Sequence, residues 1–296
     1  MVPLASGPIL NLRGIVLINT IVLTVHNKKS TVEKILDQLL KTTSSFTQKI
    51  IVVDDGSTDG TTTILKQYAN KNVNIQYRYT PDLWEVLANC DGLENVETPY
   101  ATIIQDDMLI HERHWDRILL NAAVCHNAFS VSGRAGTDIS FNHNDLYLFN
   151  HIGCEYPLGQ TLLGRIVAKL LTIVPSPYRS AYSVKIARPF GAQKRQVINR
   201  GPLVINMEAY NKLGGLDKKF APFELDDIDL CLRATKEDYG GHYVLPIHYT
   251  EVNGSKKSNT YSAKMSIESI SKNKIRILQK HRGSILKKKF KDKYRV

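Results

Sequence analysis

"IIVVDDGSTDGTT", Ile50 to Thr62, decides how this chain is read. Four apolar residues run straight into Asp54 and Asp55, and a turn rich in Gly, Ser and Thr follows. The apolar run has the length and β-branched composition of a buried strand. Adjacent carboxylates at its end repel each other and lose hydration when buried. Three readings stay open. The acids, with Ser57 and Asp59, build a turn and cap the next helix. They bind calcium, since Asp55, Ser57, Asp59 and Gly60 fall at EF-hand positions, although Lys66 stands at the twelfth position where that loop needs a bidentate Glu. Or they accept hydrogen bonds from the base and ribose of a nucleotide. Its diphosphate then requires a cation, because carboxylates repel it.

The pattern around this stretch alternates. "IVLINTIVLTV" (residues 15–25) reads as a strand, and "STVEKILDQLLKT" (30–42) has helical spacing with Ser30 or Thr31 as its cap. "KIIVVDD", "VNIQYRY" and "YATIIQDD" read as further strands, separated by helical segments over 58–70 and 82–95 and followed by one over 114–124. Continuous apolar strands alternating with amphipathic helices predict an α/β fold, a mostly parallel sheet with helices on both faces. Ligands of such sheets bind at the carboxyl ends of the strands. Two of the four strands end there in an Asp pair, Asp54-Asp55 and Asp106-Asp107. Neither GxGxxG nor GxxxxGK[ST] occurs, which excludes the common phosphate cradles.

The chain has 296 residues and a formal charge of +11. From Ser271 to Val296 there are eleven Lys and Arg against Asp292 alone, so +10 lies in the tail and the body is near neutral. The pI of 9.4 is therefore no argument for a nucleic-acid-binding body. Cys90, Cys125, Cys154 and Cys231 lack CxxC spacing and read as free thiols of a reducing compartment. "GIVLINTIVLTV" (14–25) is too short to span a bilayer and carries Asn19, so a cytoplasmic location is expected.

"TVHNKK", "IIVVDDGSTDGT", "ATIIQDDMLI", "NKLGGLDKKF" and "FELDDIDLCLRA" occur in this order. Together they resemble family 2 glycosyltransferases of GT-A fold, especially the branch similar to bacterial rhamnosyl- and galactofuranosyltransferases. The resemblance covers about Val16 to Ser255. It implies that Thr24, His26 and Asn27 border the nucleoside, and that Asp54, Asp55, Gly56 and Ser57 contact base and ribose. It implies that Asp106 faces the sugar or ribose and that Asp107 ligates Mn²⁺ or Mg²⁺. In "LDDIDL" one acid would be the general base, Asp227 or Asp226, with Asp229 less suited. The family's further ligand, a His after this helix, is replaced here by Glu251, with His248 three residues earlier, so either is a candidate metal ligand. Where relatives carry an Arg for the diphosphate this chain has Ala88, and Arg134 or Arg200 are the expected substitutes.

The implied activity moves a sugar from a UDP-, dTDP- or GDP-linked donor to a hydroxyl of a glycan, lipid or protein-linked acceptor, with inversion. A cation stabilises charge on the leaving diphosphate, and a carboxylate on the opposite face takes the acceptor proton. The alternative class is a noncatalytic nucleotide-sugar binder or a nucleic-acid-binding protein using the basic tail. No specific nucleic acid is expected, because only Phe290 and Tyr294 offer stacking in that tail. Residues 1–262 would form the transferase domain, with a nucleotide half over 15–124 and an acceptor half over 125–262. Residues 263–296 would be a helical basic tail, either solvated or on an anionic membrane surface. The segment from Thr161 to Ile173 has helical apolar spacing, which suits a core helix or one lying at a membrane interface.

Overall fold

The computed structural model describes residues 18–141, 145–252 and 263–285. In chain order the first half forms β1 (Asn19–Val25), α1 (Val32–Thr42), β2 (Thr47–Asp55), α2 (Thr61–Lys71), β3 (Ile75–Thr80), α3 (Trp84–Glu94), β4 (Tyr100–Ile104), β5 (Met108–Ile110), α4 (Trp115–Cys125) and β6 (Ala128–Ser132). The second half adds β7 (Ala135–Phe141), β8 (Leu146–Gly153), α5 (Leu162–Leu171), α6 (Ser176–Ala187), β9 (Gln193–Arg195), β10 (Val197–Ile198) and β11 (Leu203–Asn206). It continues with α7 (Met207–Lys212), α8 (Asp226–Lys236), β12 (Gly241–Val244), β13 (Tyr249–Glu251) and α9 (Ala263–Ile285).

Eight strands make one sheet in the order β3-β2-β1-β4-β11-β6-β12-β9. The first four are parallel, as the alternating pattern predicts. β11 runs antiparallel between β4 and β6. β12 returns parallel to β6, and β9 closes the edge antiparallel. Successive side chains of an apolar strand point to opposite faces, so both faces need a cover. Leu23 and Val52 pack with Leu36 and Trp115 on one face. Val22, Ile51 and Val53 pack with Leu93, Leu230 and Ile277 on the other. A smaller sheet, β10-β7-β8, and the helices α5 and α6 stand between β6 and β11 in the chain. The expected halves 15–124 and 125–262 thus meet within a single sheet, where β4 bonds to β11.

Three expectations change. The strand expected over "YATIIQDD" stops at Ile104, and the acids occupy a turn before β5, which pairs antiparallel with β13. The apolar helix of residues 161–173 forms as α5 but is not a core helix: Gly164 and Leu171 face inward, and Leu162, Leu163, Ile166 and Leu170 face out. α9 is seated on the body as far as the structure describes it. Ser269, Asn273, Ile277 and His281, spaced one turn apart, are all buried, and Asn273 donates to the carbonyls of Phe220, Phe223 and Glu224. Residues 286–296, which carry the densest basic cluster, lie outside the described residues, as does the start of the expected first strand. The four cysteines are free thiols. No described helix is long and apolar enough to cross a membrane.

Candidate active site

The carboxyl ends of β1, β2 and β3 carry loops stitched to one another. Asp54 Oδ1 accepts from the Ser57 amide (3.2 Å), and Oδ2 accepts from Thr62 Oγ1 (2.6 Å) and the Tyr77 hydroxyl (3.1 Å). Burial and the charge of Asp54 push the Tyr77 phenol up to about 12, which keeps it a donor. Asp55 accepts from Thr80 Oγ1 (2.7 Å) and from the amides of Leu83 (2.6 Å) and Trp84 (2.8 Å). The opening pair is therefore taken up by the protein's own donors, which is the turn-building reading. Asp55 also holds the loop that leads into α3. Gly56, at φ +68°, passes so near that loop that an added Cβ would lie 2.7 Å from the Asp82 amide nitrogen.

The β1–α1 loop lies across this turn. Thr24 Oγ1 donates to Asn89 of α3 (2.6 Å). Asn27, in a left-handed conformation (φ +51°), donates its amide to Ser57 Oγ (3.0 Å) and accepts from the Thr58 amide (2.8 Å). The His26 ring sits 2.5 Å from the Asp55 carbonyl and 3.9 Å from an Asp82 oxygen. His26, Asp55 and Asp82 each offer one ligand atom, and these atoms lie within 4.8 Å of one another. His26 Nδ1 and both Asp55 oxygens already have partners, so this group is poorly free to ligate.

The second acidic pair divides. Asp106 accepts from the His26 amide (3.2 Å) and pairs with Lys28 (3.3 Å). Burial lifts its carboxyl to about 6 against the opposing pull of Lys28. Asp107 Oδ1 is buried and has no hydrogen-bond donor among the described residues. A buried carboxylate oxygen left without a donor costs about 1–3 kcal/mol or more, unless something outside the chain fills the gap. The Asp107 carbonyl accepts from the Val252 amide (2.6 Å), and Glu251 stands opposite Met108 in the β5–β13 ribbon. Glu251 is thereby brought beside Asp107. His248 is not: it lies past the other end of the ribbon, its ring 4.9 Å from that of His111. Arg134 bridges the group, donating to Gln105 Oε1 (2.7 Å) and pairing with Glu251 (3.5 Å).

The third acidic group opens α8. Glu224 (φ +78°) and Leu225 (φ +66°) enter the helix through consecutive left-handed residues, a strained entry of the kind that gathers at functional sites. At the entry to α3, Asp82 and Trp84 are left-handed on either side of Leu83, and the Trp84 ring stacks on Phe223 at 6.2 Å. The two helix N-termini thus converge, and their dipoles favour the carboxylates they carry. Buried Arg200 lies between them, bonded to Asp226 (2.6 Å) and paired with Glu85 (3.4 Å). Burial raises both acids of the pair, Asp226 to about 7, against the opposing charge of Arg200. Asp226 is fully enclosed, whereas Asp227 retains 8% exposure, with Oδ1 accepting from the Ile228 amide (2.8 Å). Asp229 is engaged by three basic side chains. Burial works against its charge, but His281, Arg233 and Lys280 hold its carboxyl down at about 2.

Of the two expected diphosphate arginines, Arg200 is committed to Asp226 and Glu85, while Arg134 remains part-exposed beside Asp107. The residues that sequence reasoning missed are Lys28, Glu85 and His281. Lys28 stands inside the quoted "TVHNKK" but was given no role there. Glu85 and His281 gave none, because each meets its partner across a long chain separation.

Comparison with known proteins agrees with this fold. The model of the family "Glycosyl transferase family 2" matches residues 20–189. The Glycosyltransferase GlyA of Streptococcus pneumoniae serotype 4 is 25% identical over 138 residues, which cover 46% of this chain and 19% of that protein. This chain thus spans about a fifth of that relative's length. The solved structure of GalNAc-T7 with UDP, GalNAc and Mn²⁺ superposes with a TM-score of 0.63 at 11% identity, over 89% of this chain and 48% of that one. The mannosyltransferase PcManGT from Pyrobaculum calidifontis, in complex with GDP-Man and Mn²⁺, gives 0.50 at 16%, over 81% and 58%. At such identities the likeness is one of fold, and that fold is GT-A. With the family match running over more than half its length, the chain belongs to glycosyl transferase family 2.

Proposed function

We propose that this protein transfers a sugar from a nucleoside-diphosphate donor to an acceptor hydroxyl, with Asp227 as general base and Asp107 and Glu251 as cation ligands. The observation that carries the proposal is the buried, donorless Oδ1 of Asp107 at the carboxyl end of β4, beside Glu251 and Arg134. Two carboxylates and a vacant lone pair suit a hard divalent cation such as Mn²⁺ or Mg²⁺, and the two structurally similar transferases were solved with Mn²⁺. When bound, the cation offsets charge on the leaving diphosphate. Arg134, part-exposed at the same place, adds a fixed positive group for the phosphate oxygens.

The loops after β1 and β2 give the nucleoside its wall. Asp54, Asp55 and Gly56 shape it from behind, and His26, Asn27, Ser57 and Asp82 stand at its edge. Asp106 is held by Lys28 and the His26 amide in the position where it meets sugar or ribose. Across the crevice Arg200 fixes Asp226, which keeps its neighbour Asp227 at the mouth of α8. Asp227 takes the acceptor proton as the acceptor oxygen bonds to the anomeric carbon and the diphosphate leaves from the opposite face, so the centre inverts. General-base help of this kind contributes about 10²–10⁴-fold. The donor is a UDP-, dTDP- or GDP-sugar, and the acceptor a glycan or lipid-linked hydroxyl. The branch similar to rhamnosyl- and galactofuranosyltransferases is part of the same proposal and rests on the order of the quoted motifs.

Scanning fluorimetry with UDP, dTDP or GDP tests the reading. A diphosphate at a hundredfold excess over its dissociation constant adds about 2.7 kcal/mol of stability. That gain should require Mn²⁺ or Mg²⁺ and vanish in Asp107→Ala. Equal stabilisation in EDTA, or by Asp107→Ala, refutes the cation-bridged site.

A further inference from the structure

α5 and α6 present an unusual surface. Along α5, at about 100° per residue, Leu162, Leu163, Ile166 and Leu170 fall within an arc of about 100°, and Ile173 just beyond the helix extends it. All five are exposed, Leu162 at 81% and Ile173 at 79%. This orientation is fixed by what lies beneath. An added Cβ on Gly164 would sit 2.0 Å from the Gly159 carbonyl oxygen, so that side of the helix is pressed against the chain and cannot be rolled outward. Leu171 is buried on the same side, Thr161 caps the N-terminus through the Gly164 amide, and Arg179 of α6 holds the C-terminal carbonyls of Leu171 and Thr172.

The stretch of chain that carries this arc is one-signed in charge. Between Glu155 and Glu208 the chain carries eight Lys and Arg and no Asp or Glu. Arg165 and Lys169 flank the apolar arc on one side, and no ion pair among the described residues involves either. On α6, Tyr178 and Tyr182, one turn apart, are exposed at 61% and 51%, and Lys185 lies over the Tyr182 ring. Apolar arc, basic flank and half-exposed tyrosines are the three layers of a helix lying in a lipid headgroup region. A protein partner of ordinary surface would not require an acid-free stretch of this length, whereas an anionic bilayer repels every acid in it.

We propose that the α5–α6 pair is a membrane-interface anchor that seats this face of the protein on an anionic bilayer. Its apolar arc enters the acyl boundary, with Arg165, Lys169 and Lys185 among the phosphates. The proposal stands apart from the transfer reaction and does not depend on it.

Flotation of the full chain with vesicles of phosphatidylcholine, with and without phosphatidylglycerol, tests it. The wild type should float with the anionic vesicles, and less so as salt is raised. The triple variant Leu163→Ser, Ile166→Ser, Leu170→Ser keeps the basic tail intact and should bind at least roughly tenfold more weakly. Its melting temperature and its metal-dependent diphosphate binding should be unchanged. Arg165→Ala with Lys169→Ala should weaken binding to anionic vesicles alone. Undiminished flotation of the triple variant overturns the proposal and leaves the tail as the binding element. A lowered melting temperature would mean that the face is packed within the protein. A wild-type dimer that the serines split would make a second copy the occupant. Either result overturns the proposal as well.

Discussion

Asp229→Asn gives the most quantitative test of how α8 is held. Asp229 is fully buried and accepts from Arg233 Nε (2.7 Å), His281 Nε2 (2.7 Å) and Lys280 Nζ (3.1 Å). These partners hold its carboxyl at about 2, against an ordinary 3.8. A depression of nearly two units is worth about 2–3 kcal/mol at neutral pH. The folded value is the lower one, so this stability is complete above about pH 4 and is lost as pH falls toward 2. Asparagine removes the charge and leaves Arg233 and His281 facing a neutral amide, so the loss should reach about 3–5 kcal/mol. For a chain of this size each kcal/mol moves the melting temperature by about 2–4 °C, which predicts a fall of roughly 6–20 °C at pH 7. Scanning fluorimetry reads it, and a double-mutant cycle with His281→Asn should show coupling of about 1 kcal/mol or more. A fall under about 2 °C, or strict additivity, would refute the argument that α9 is clamped to α8 through this carboxylate.

Asp227→Asn should cut turnover by about 10²–10⁴-fold and leave diphosphate affinity unchanged, as loss of a transition-state contact does. Wild-type turnover in that variant, with a dead Asp226→Asn, would move the base by one residue. Gly56→Ala must adopt φ +68° and meet the Asp82 backbone, so its urea midpoint should report a loss of at least about 1–2 kcal/mol; an unchanged midpoint would contradict the close approach. A chain cut after Ile270 loses Asn273, Ile277 and His281 and should melt far below the wild type, whereas a cut after Arg282 should not; equal melting of the two would contradict the docking of α9.

Much of the first half could be read from the sequence because its signals are local. Runs such as Ile50–Val53 can only be strands covered on both faces, and the helical spacing of Val32, Ile35, Leu36 and Leu39 survives as the buried stripe of α1. The strand-end position of Asp54-Asp55 follows from the same alternation, whereas Asp106-Asp107 fall in the turn between β4 and β5. What stayed hidden depends on long-range pairing. Asp54 and Asp55 look alike in sequence, yet one shapes its own turn and the other holds a loop twenty-five residues on. α9 docks through Ser269, Asn273 and His281 as much as through Ile277, and a polar docking face has no apolar period to detect. The apolar Ile267 and Ile275 of the same helix are exposed. In α5 the apolar arc was plain but its direction was not, because the side that packs inward is marked only by a glycine and a leucine.

The hydrogen bond from the Gly133 amide to the Pro202 carbonyl, at 2.9 Å, has a consequence for how such a protein can be altered. It closes the neck of the excursion 134–201, which leaves the large sheet after β6, touches it again at its edge through β9 and re-enters its middle at β11. With both ends pinned to adjacent strands, the length between them is nearly free: each doubling of a loop costs only about 0.6 kcal/mol in closure entropy. The exchangeable part is therefore α5 and α6 with their loops, because β9 pairs with β12 in the large sheet and Ile139, Ile152, Val197 and Ile198 belong to its core. The two arginines at its ends are also fixed. Arg134 and Arg200 lie just inside the neck and reach opposite acidic groups, Glu251 on one side and Asp226 on the other. A graft that carries both arginines keeps the charge balance of the crevice, and one that omits them leaves uncompensated carboxylates at each side of the same opening.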